Sequence, residues 1–374
     1  MNKLLILCTL IFAVFASCSN QQKEKSKCIF IDLENTINKQ GPKNFKLNDV
    51  AQSMRLIPIE TNDSVLFRNV IISDVTEENI IVYGGNIGVH KKAVYFINKM
   101  DGKVSSIIDR YGQGPEEYIS INDVHLNELS NTLYLYDSNG RKTNEYTFGG
   151  KFVRSIKNDS IAAFRMLKDG NFVISYAPFI NTGFSLGICD SSWNLKRRGL
   201  PKMGKNIKFD MIYFDAILKF NGEYFYKMAH CDTLYRITTA YDEPYLVHSK
   251  GKYNIPLDIK ASLENTEKEG CNYIQQDYGD LIKKYYFLTY WYDYKLYSEI
   301  WDIENSSLIY KNEYSRNGGV KGVPVIINEK KINVWPSYVS SDCLYCVIGN
   351  EDAISLIPSL PADTNPIILE IKLK

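Results

Sequence analysis

Apolar and polar residues alternate in short runs along most of the chain, and the runs are closed by glycine, asparagine or aspartate. Thr132-Leu133-Tyr134-Leu135-Tyr136 leads into Asp137-Ser138-Asn139-Gly140. Asn144 to Phe148 resumes the alternation, Gly149-Gly150 turns the chain, and Phe152 to Ile156 closes the group. Tyr, Phe, Val, Ile and Thr suit half-buried pleated surfaces, and the intervening residues supply the backbone angles of tight turns. Upstream, a strand end at Ile107-Ile108 passes into Gly112-Gln113-Gly114-Pro115, where two glycines permit positive φ and a proline stiffens the bend. Ile107 to Ile156 therefore reads as four short strands joined by turns.

The grouping recurs. A first group holds Ile80 to Tyr83, Val94 to Ile97 and Val104 to Ile108, and the stretch above is the second. A third runs through Phe172 to Ile174 and Leu186 to Leu195. The fourth takes Ile217 to Phe220, Glu223 to Tyr226, Thr233 to Ile237 and Tyr245 to His248. The fifth takes Tyr285 to Tyr290, Leu296 to Trp301 and Leu308 to Tyr310. The sixth takes Val323 to Ile327, Lys331 to Trp335, Cys343 to Ile348 and Ile367 to Lys372. Six such groups predict an all-β, six-bladed β-propeller of four-stranded antiparallel blades. A ring leaves no open edge if its two ends pair, so the strand-like Met54 to Glu60 is expected in the sixth blade beside the C-terminal strand. Leu257 to Gly270 breaks the rhythm with helix formers and a glycine stop, giving a helical insertion over about 257–284.

The start of the chain has a different character. Lys3 precedes an apolar run from Leu4 to Ala16, too short to span a bilayer, and the run ends in Ala16-Ser17-Cys18. This reads as a lipoprotein signal over 1–17, with Cys18 the lipid-bearing residue after cleavage. An ordinary signal peptide that happens to contain Cys18 is the alternative. Residues 18–27 are polar and form a tether, and 28–374 form the propeller.

Gly112-x-Gly114-Pro115-x-Glu117-Tyr118, the Leu133 to Asp137 strand, Asn139, Arg141 and Gly150-Lys151-Phe152-Val153 together resemble an NHL repeat. The whole chain resembles the six-bladed propeller lipoproteins of Bacteroidetes, which carry a similar loop early in the ring. That resemblance implies an envelope protein anchored to the outer membrane and concerned with nutrient capture or signalling. Gln21-Gln22-Lys23-Glu24-Lys25 mixes signs where surface-displayed members carry acids, so the periplasmic and surface faces both stay open.

Charge and candidate chemistry narrow the function only by exclusion. A net charge of +1 over 374 residues argues against a nucleic-acid partner. His90, His125, His230 and His248 have no metal-ligand spacing, Cys343-Leu344-Tyr345-Cys346 lies in a strand pattern, and there is no Gly-x-Ser-x-Gly or His-Glu-x-x-His. No catalytic residue, metal ligand or cofactor is predicted. Candidate ligand-binding residues are Arg110, Glu117 and Arg141, which would line a mouth of the central channel, and Trp291, Tyr292 and Tyr294, whose rings could stack on a sugar or peptide. The competing reading of the Gly112 loop is structural, with Tyr118 packed between blades. The expected function is a binding module for a glycan, peptide or outer-membrane protein partner. The alternative is a propeller hydrolase or lyase using channel-bound calcium or zinc, which would need Asp, Asn, Glu or His converging from several blades.

Overall fold

The structure, a computed structural model, describes residues 28–374 apart from 43, 64, 68, 86–91, 128–129, 159–160, 177–181, 203–214, 229–230, 316–317 and 320. The signal, Cys18 and the tether lie outside the described residues, as do His90 and His230.

The middle strands of the blades bury both faces. In Thr132–Asp137 every residue is buried. Leu133 and Leu135 pack against one neighbouring sheet, Tyr134 and Tyr136 against the other. Strands of this kind need a sheet on each side, and a ring of sheets provides it.

Six antiparallel blades result. From the channel outward, blade 1 holds Ile71–Val75, Asn79–Gly85, Lys92–Asn98 and Val104–Ile108; blade 2 holds Asp123–Asn127, Thr132–Asp137, Lys142–Thr147 and Phe152–Lys157. Blade 3 holds Ile161–Met166, Phe172–Tyr176, Leu186–Cys189 and Leu195–Arg198; blade 4 holds Ala216–Phe220, Glu223–Lys227, Thr233–Ile237 and Asp242–Ser249. Blade 5 holds Gln275–Ile282, Tyr285–Tyr292, Lys295–Asp302 and Ser307–Ser315. Blade 6 is built from Tyr338–Val339, Cys343–Ile348, Ile367–Leu373 and, outermost, Ala51–Pro58. Each innermost strand adjoins the innermost strands of both neighbouring blades. Six apolar clusters fill the six inter-blade spaces, the last joining Ile57, Tyr345 and Ile368 of blade 6 to Ile80, Val82 and Tyr95 of blade 1.

Closure follows the expected route, since Ala51–Pro58 pairs antiparallel with Ile367–Leu373. Turn chemistry agrees locally as well. Asn221 and Gly222 both take positive φ, 50° and 70°, and join two strands of blade 4 in the two-residue hairpin geometry that fits the right-handed strand twist.

Four features depart from the sequence reading. The insertion is shorter than 257–284: helices Leu257–Ala261 and Leu263–Glu269 and a helical turn at Gly270–Asn272 end it, and Gln275–Ile282 is the innermost strand of blade 5. Gly279 is there because a Cβ would stand 2.5 Å from the Tyr286 ring of the next strand. Val323–Ile327 and Lys330–Val334 alternate like blade strands but form a separate hairpin, whose Val323, Val325, Ile332 and Val334 cap the core between blades 5 and 6. Ile161–Met166, absent from the expected third group, supplies the inner strand of blade 3. Finally, Ile29–Asp32 adds a fifth strand to blade 4, parallel to Asp242–Ser249.

Candidate functional site

Innermost strands of neighbouring blades do not form ladders with each other, so some of their backbone N–H groups need other acceptors. Asp74 of blade 1 accepts from its neighbour Val75 at 3.0 Å, from Leu126 N–H of blade 2 at 3.4 Å, and from the Tyr338 hydroxyl of blade 6 at 2.8 Å. Asp123 of blade 2 accepts from Phe164 N–H of blade 3 at 3.3 Å and from Arg165 at 2.6 Å. These acids hold blade to blade, and their carboxylates are spent on that task.

The same strands enclose a cavity of about 250 Å³ to which all six blades contribute. His125 lies 3.7 Å from Asp74, and burial, reinforced by Arg165 and Lys219, pushes its imidazole well below the usual histidine range. It is neutral at physiological pH. Burial raises the Asp74 carboxyl, against the pull of Lys219. Two charged side chains on the cavity wall stand apart. Asp280, from blade 5, and Lys219, from blade 4, make no hydrogen bond or ion pair with another described residue. Burial alone lifts the Asp280 carboxyl to about 6.

A carboxyl whose folded value exceeds its unfolded value of about 4 stabilises the fold only below that unfolded value. The contribution disappears as pH rises through about 6. Asp280→Asn should therefore raise the melting temperature at pH 8, by up to about 3 kcal/mol in stability, and leave it nearly unchanged at pH 4. Parallel melts at the two pH values check this. Equal shifts at both would mean that charge is not the cause.

The candidates read from sequence fall elsewhere. Arg110, Glu117 and Arg141 are not among the residues lining the channel cavity. Arg110 pairs at 3.5 Å with Glu116 rather than Glu117, and its Nε donates to Gly150 O. Glu117 accepts from Gly114 N–H at 2.8 Å, and Arg141, at φ 51°, sits in the turn between Asp137 and Lys142. Arg110 and Glu117 belong to the loop from the outer strand of blade 1 to the inner strand of blade 2. Tyr118 is fully buried, and its hydroxyl lies 3.0 Å from both Lys92 O and Ile108 O. Asp137, also fully buried, accepts from Ile119 N–H, Ser120 N–H, the Ser120 hydroxyl and Gly140 N–H at 2.7–3.0 Å. The loop is thus a structural clasp. Asp137→Ala orphans these donors and should cost about 3 kcal/mol, measured by urea unfolding.

The aromatic run divides by alternation. Tyr286 and Tyr290 are buried in the core between blades 4 and 5, and Tyr292 packs at its edge, meeting Tyr253 edge-on at 5.3 Å. Trp291 is 39% and Tyr294 71% exposed. Tyr294 holds φ 59°, a left-handed conformation that a bulky side chain rarely adopts. Tyr292 also borders a second cavity of about 350 Å³ between blade 5 and residues 37–41, but Trp291 and Tyr294 do not. The three rings do not form one platform.

Cys343 and Cys346 are unbridged, as are the other described cysteines, and burial pushes their thiols up to about 11 and about 12. Such thiols are protonated and unreactive. Among the described residues no three His, Cys, Asp or Glu side chains converge to hold a metal ion.

A further charged cluster, between blades 4 and 5, escaped the sequence reading. Asp277 receives Lys250 at 2.8 Å, Lys227 at 3.2 Å and His248 through Nδ1, while His248 Nε2 meets the Tyr286 hydroxyl at 2.9 Å. All five side chains are buried. Burial pushes the His248 imidazole down, and Lys227 and Lys250 hold Asp277 well below the carboxylate range against its own burial. Lys260 of the insertion stands near, its ammonium brought down to about 8 by burial and by Lys250.

The geometry defines a six-bladed β-propeller with a polar channel cavity. Two solved structures share the architecture over nearly their whole length. A Bacteroides fragilis protein described as exported superposes with TM-score 0.68 at 16% identity, covering 93% of this chain and 100% of its own. A DUF4221-family member from Bacteroides vulgatus superposes with TM-score 0.50 at 11% identity, covering 87% of this chain and 97% of its own. At such identities the likeness concerns the fold. Residues 28–372 match DUF4934, a domain of unknown function, and the chain belongs to that family. No curated protein matches it.

Proposed function

We propose that this protein is a lipid-anchored binding module of the cell envelope that holds a small polar ligand in its central channel. The observation that carries the reading is the Asp280 carboxylate, set without a partner into a cavity shared by six blades. Burying such a group without compensation costs stability, and a ligand that pairs with it recovers the loss. Anchoring rests on Ala16-Ser17-Cys18, and an envelope location is supported by the exported description of the Bacteroides fragilis protein. Among the described residues no helix is long and apolar enough to cross a membrane. Cys18→Ala should release the protein from the membrane fraction into the soluble one.

The channel reading is tested by melting the full-length protein in detergent with the dialysable small-molecule fraction of a bacterial periplasmic extract. Stabilisation is expected, and Ser337→Trp, at an exposed position on the cavity wall, should abolish it by filling the space. Stabilisation that survives in Ser337→Trp would move the site elsewhere. A metal-dependent hydrolase or lyase has less support, because the channel acids Asp74 and Asp123 are engaged with backbone, Tyr338 and Arg165. A glycan or protein partner at blade 5 is a second reading, favoured by the exposed, left-handed Tyr294. Binding to immobilised envelope glycan that falls in Tyr294→Ala but not in Ser337→Trp would select it.

A further inference from the structure

The channel cavity carries two open charges of opposite sign, and they come from adjacent blades. Asp280 projects from the inner strand of blade 5 and Lys219 from the inner strand of blade 4. Neither makes a hydrogen bond or close ion pair among the described residues, and they do not pair with each other; Lys219 is exposed and acts on Asp74 only at longer range. The other charges on the wall are accounted for: Arg165 donates to Asp123 and to Phe164 O, each at 2.6 Å, and Asp74 is held by Tyr338 and two backbone N–H groups. His125 is buried beside Asp74. What the wall offers an incoming solute is therefore one carboxylate and one ammonium, with Tyr83 and Tyr338 also in the lining.

We propose that the cavity binds a small zwitterion of the amino-acid class, its ammonium on Asp280 and its carboxylate on Lys219. This deepens the channel reading and rests on it. A ligand with only one charge leaves one of the two wall groups without a counter-charge, and at Asp280, held in the cavity wall, that omission is penalised more heavily than a missing apolar contact. The cavity, about 250 Å³, has room for a compact amino acid. The separation of the two wall charges selects the spacing of the ligand's own charges, so chain length is the specificity variable.

Calorimetric titration of the full-length protein with glycine, β-alanine, γ-aminobutyrate and 5-aminovalerate tests the proposal, with ethylamine and propionate as single-charge controls. One member of the series should bind at least tenfold more tightly than either control. Asp280→Asn and Lys219→Met should each weaken it at least tenfold, and Ser337→Trp should abolish it. Neither charge substitution endangers folding, since Lys219 is exposed and Asp280 is strained by its own burial. If none of the amino acids binds, or if both charge variants bind as the parent does, the zwitterion assignment is wrong. Should extract solutes then still stabilise the parent and not Ser337→Trp, the channel reading stands without it; if they do not, both fall.

Discussion

A chain ending at Pro366 does not close its ring, and it should lose its cooperative melt altogether. Ile367–Leu373 lies between Cys343–Ile348 and Ala51–Pro58, paired antiparallel with both. Ile367, Leu369, Ile371 and Leu373 fill the core towards blade 5, and Ile368 fills the core towards blade 1; all five are fully buried. Each buried aliphatic side chain contributes about 2 kcal/mol, so their sum matches the whole stability of an ordinary domain. The loss also leaves two unpaired strand edges inside the gap. Near-ultraviolet circular dichroism and a thermal scan read the result. Leu369→Ala, which keeps the strand and opens only a cavity, should fold and melt with a loss of about 3 kcal/mol. A truncated chain melting within a few degrees of the parent would show that the ring is held elsewhere.

Asp277→Ala should be the most damaging single substitution in blades 4 and 5. It leaves the Lys227 and Lys250 ammonium groups, both nearly inaccessible, without their counter-charge, and takes the acceptor from His248. Removing one member of a buried charged set costs about 3–5 kcal/mol, on the order of 10 °C in melting temperature. Tyr286→Phe removes only the hydroxyl at His248 Nε2 and should cost about 1 kcal/mol. The acid dependence has a definite sign. Lys227 and Lys250 hold the Asp277 carboxyl below its unfolded value, so its contribution is complete above about pH 4 and fades as pH falls towards the folded value. The gap between parent and Asp277→Ala should therefore narrow in strong acid. His248 and His125, both depressed by burial, add a separate loss of stability in the parent as pH drops below about 6.5.

The middle strands were legible in the sequence because both their faces are apolar, as Leu133 and Tyr134 show from opposite sides of one strand. The closing strand was legible because Met54 to Glu60 alternates yet belongs to no group of four. The channel strands were harder. Gln275–Ile282 carries Asp277, Gly279 and Asp280, and Ile161–Met166 carries Arg165; those residues interrupt the apolar rhythm that identifies a strand. Asp280 and Arg165 interrupt it because they line the polar cavity, Asp277 because it anchors the charged cluster between blades 4 and 5, and Gly279 because Tyr286 leaves no room for a Cβ. At Asp280 and Arg165 the polar residues of the cavity also hid the strands bearing them, whereas the strand bearing Lys219 kept enough apolar residues to be read. Conversely Val323–Val334 alternated convincingly, but nothing in one sequence separates a blade strand from a hairpin lying across two blades. The Gly112 loop was conspicuous through its glycines and charges, which serve turns and backbone capping around Asp137.

Ile29–Asp32 lies parallel to Asp242–Ser249, in register from Ile29 opposite Leu246 to Asp32 opposite Ser249. That direction has a mechanical meaning. A pull on the residues before Cys28, directed back along this strand, would slide it past its neighbour and strain the ladder bonds together instead of peeling them one at a time. Shearing several hydrogen bonds at once takes far more force than unzipping them in turn. The first described strand is thereby fastened as a lap joint, and a tug transmitted along it is borne by blade 4.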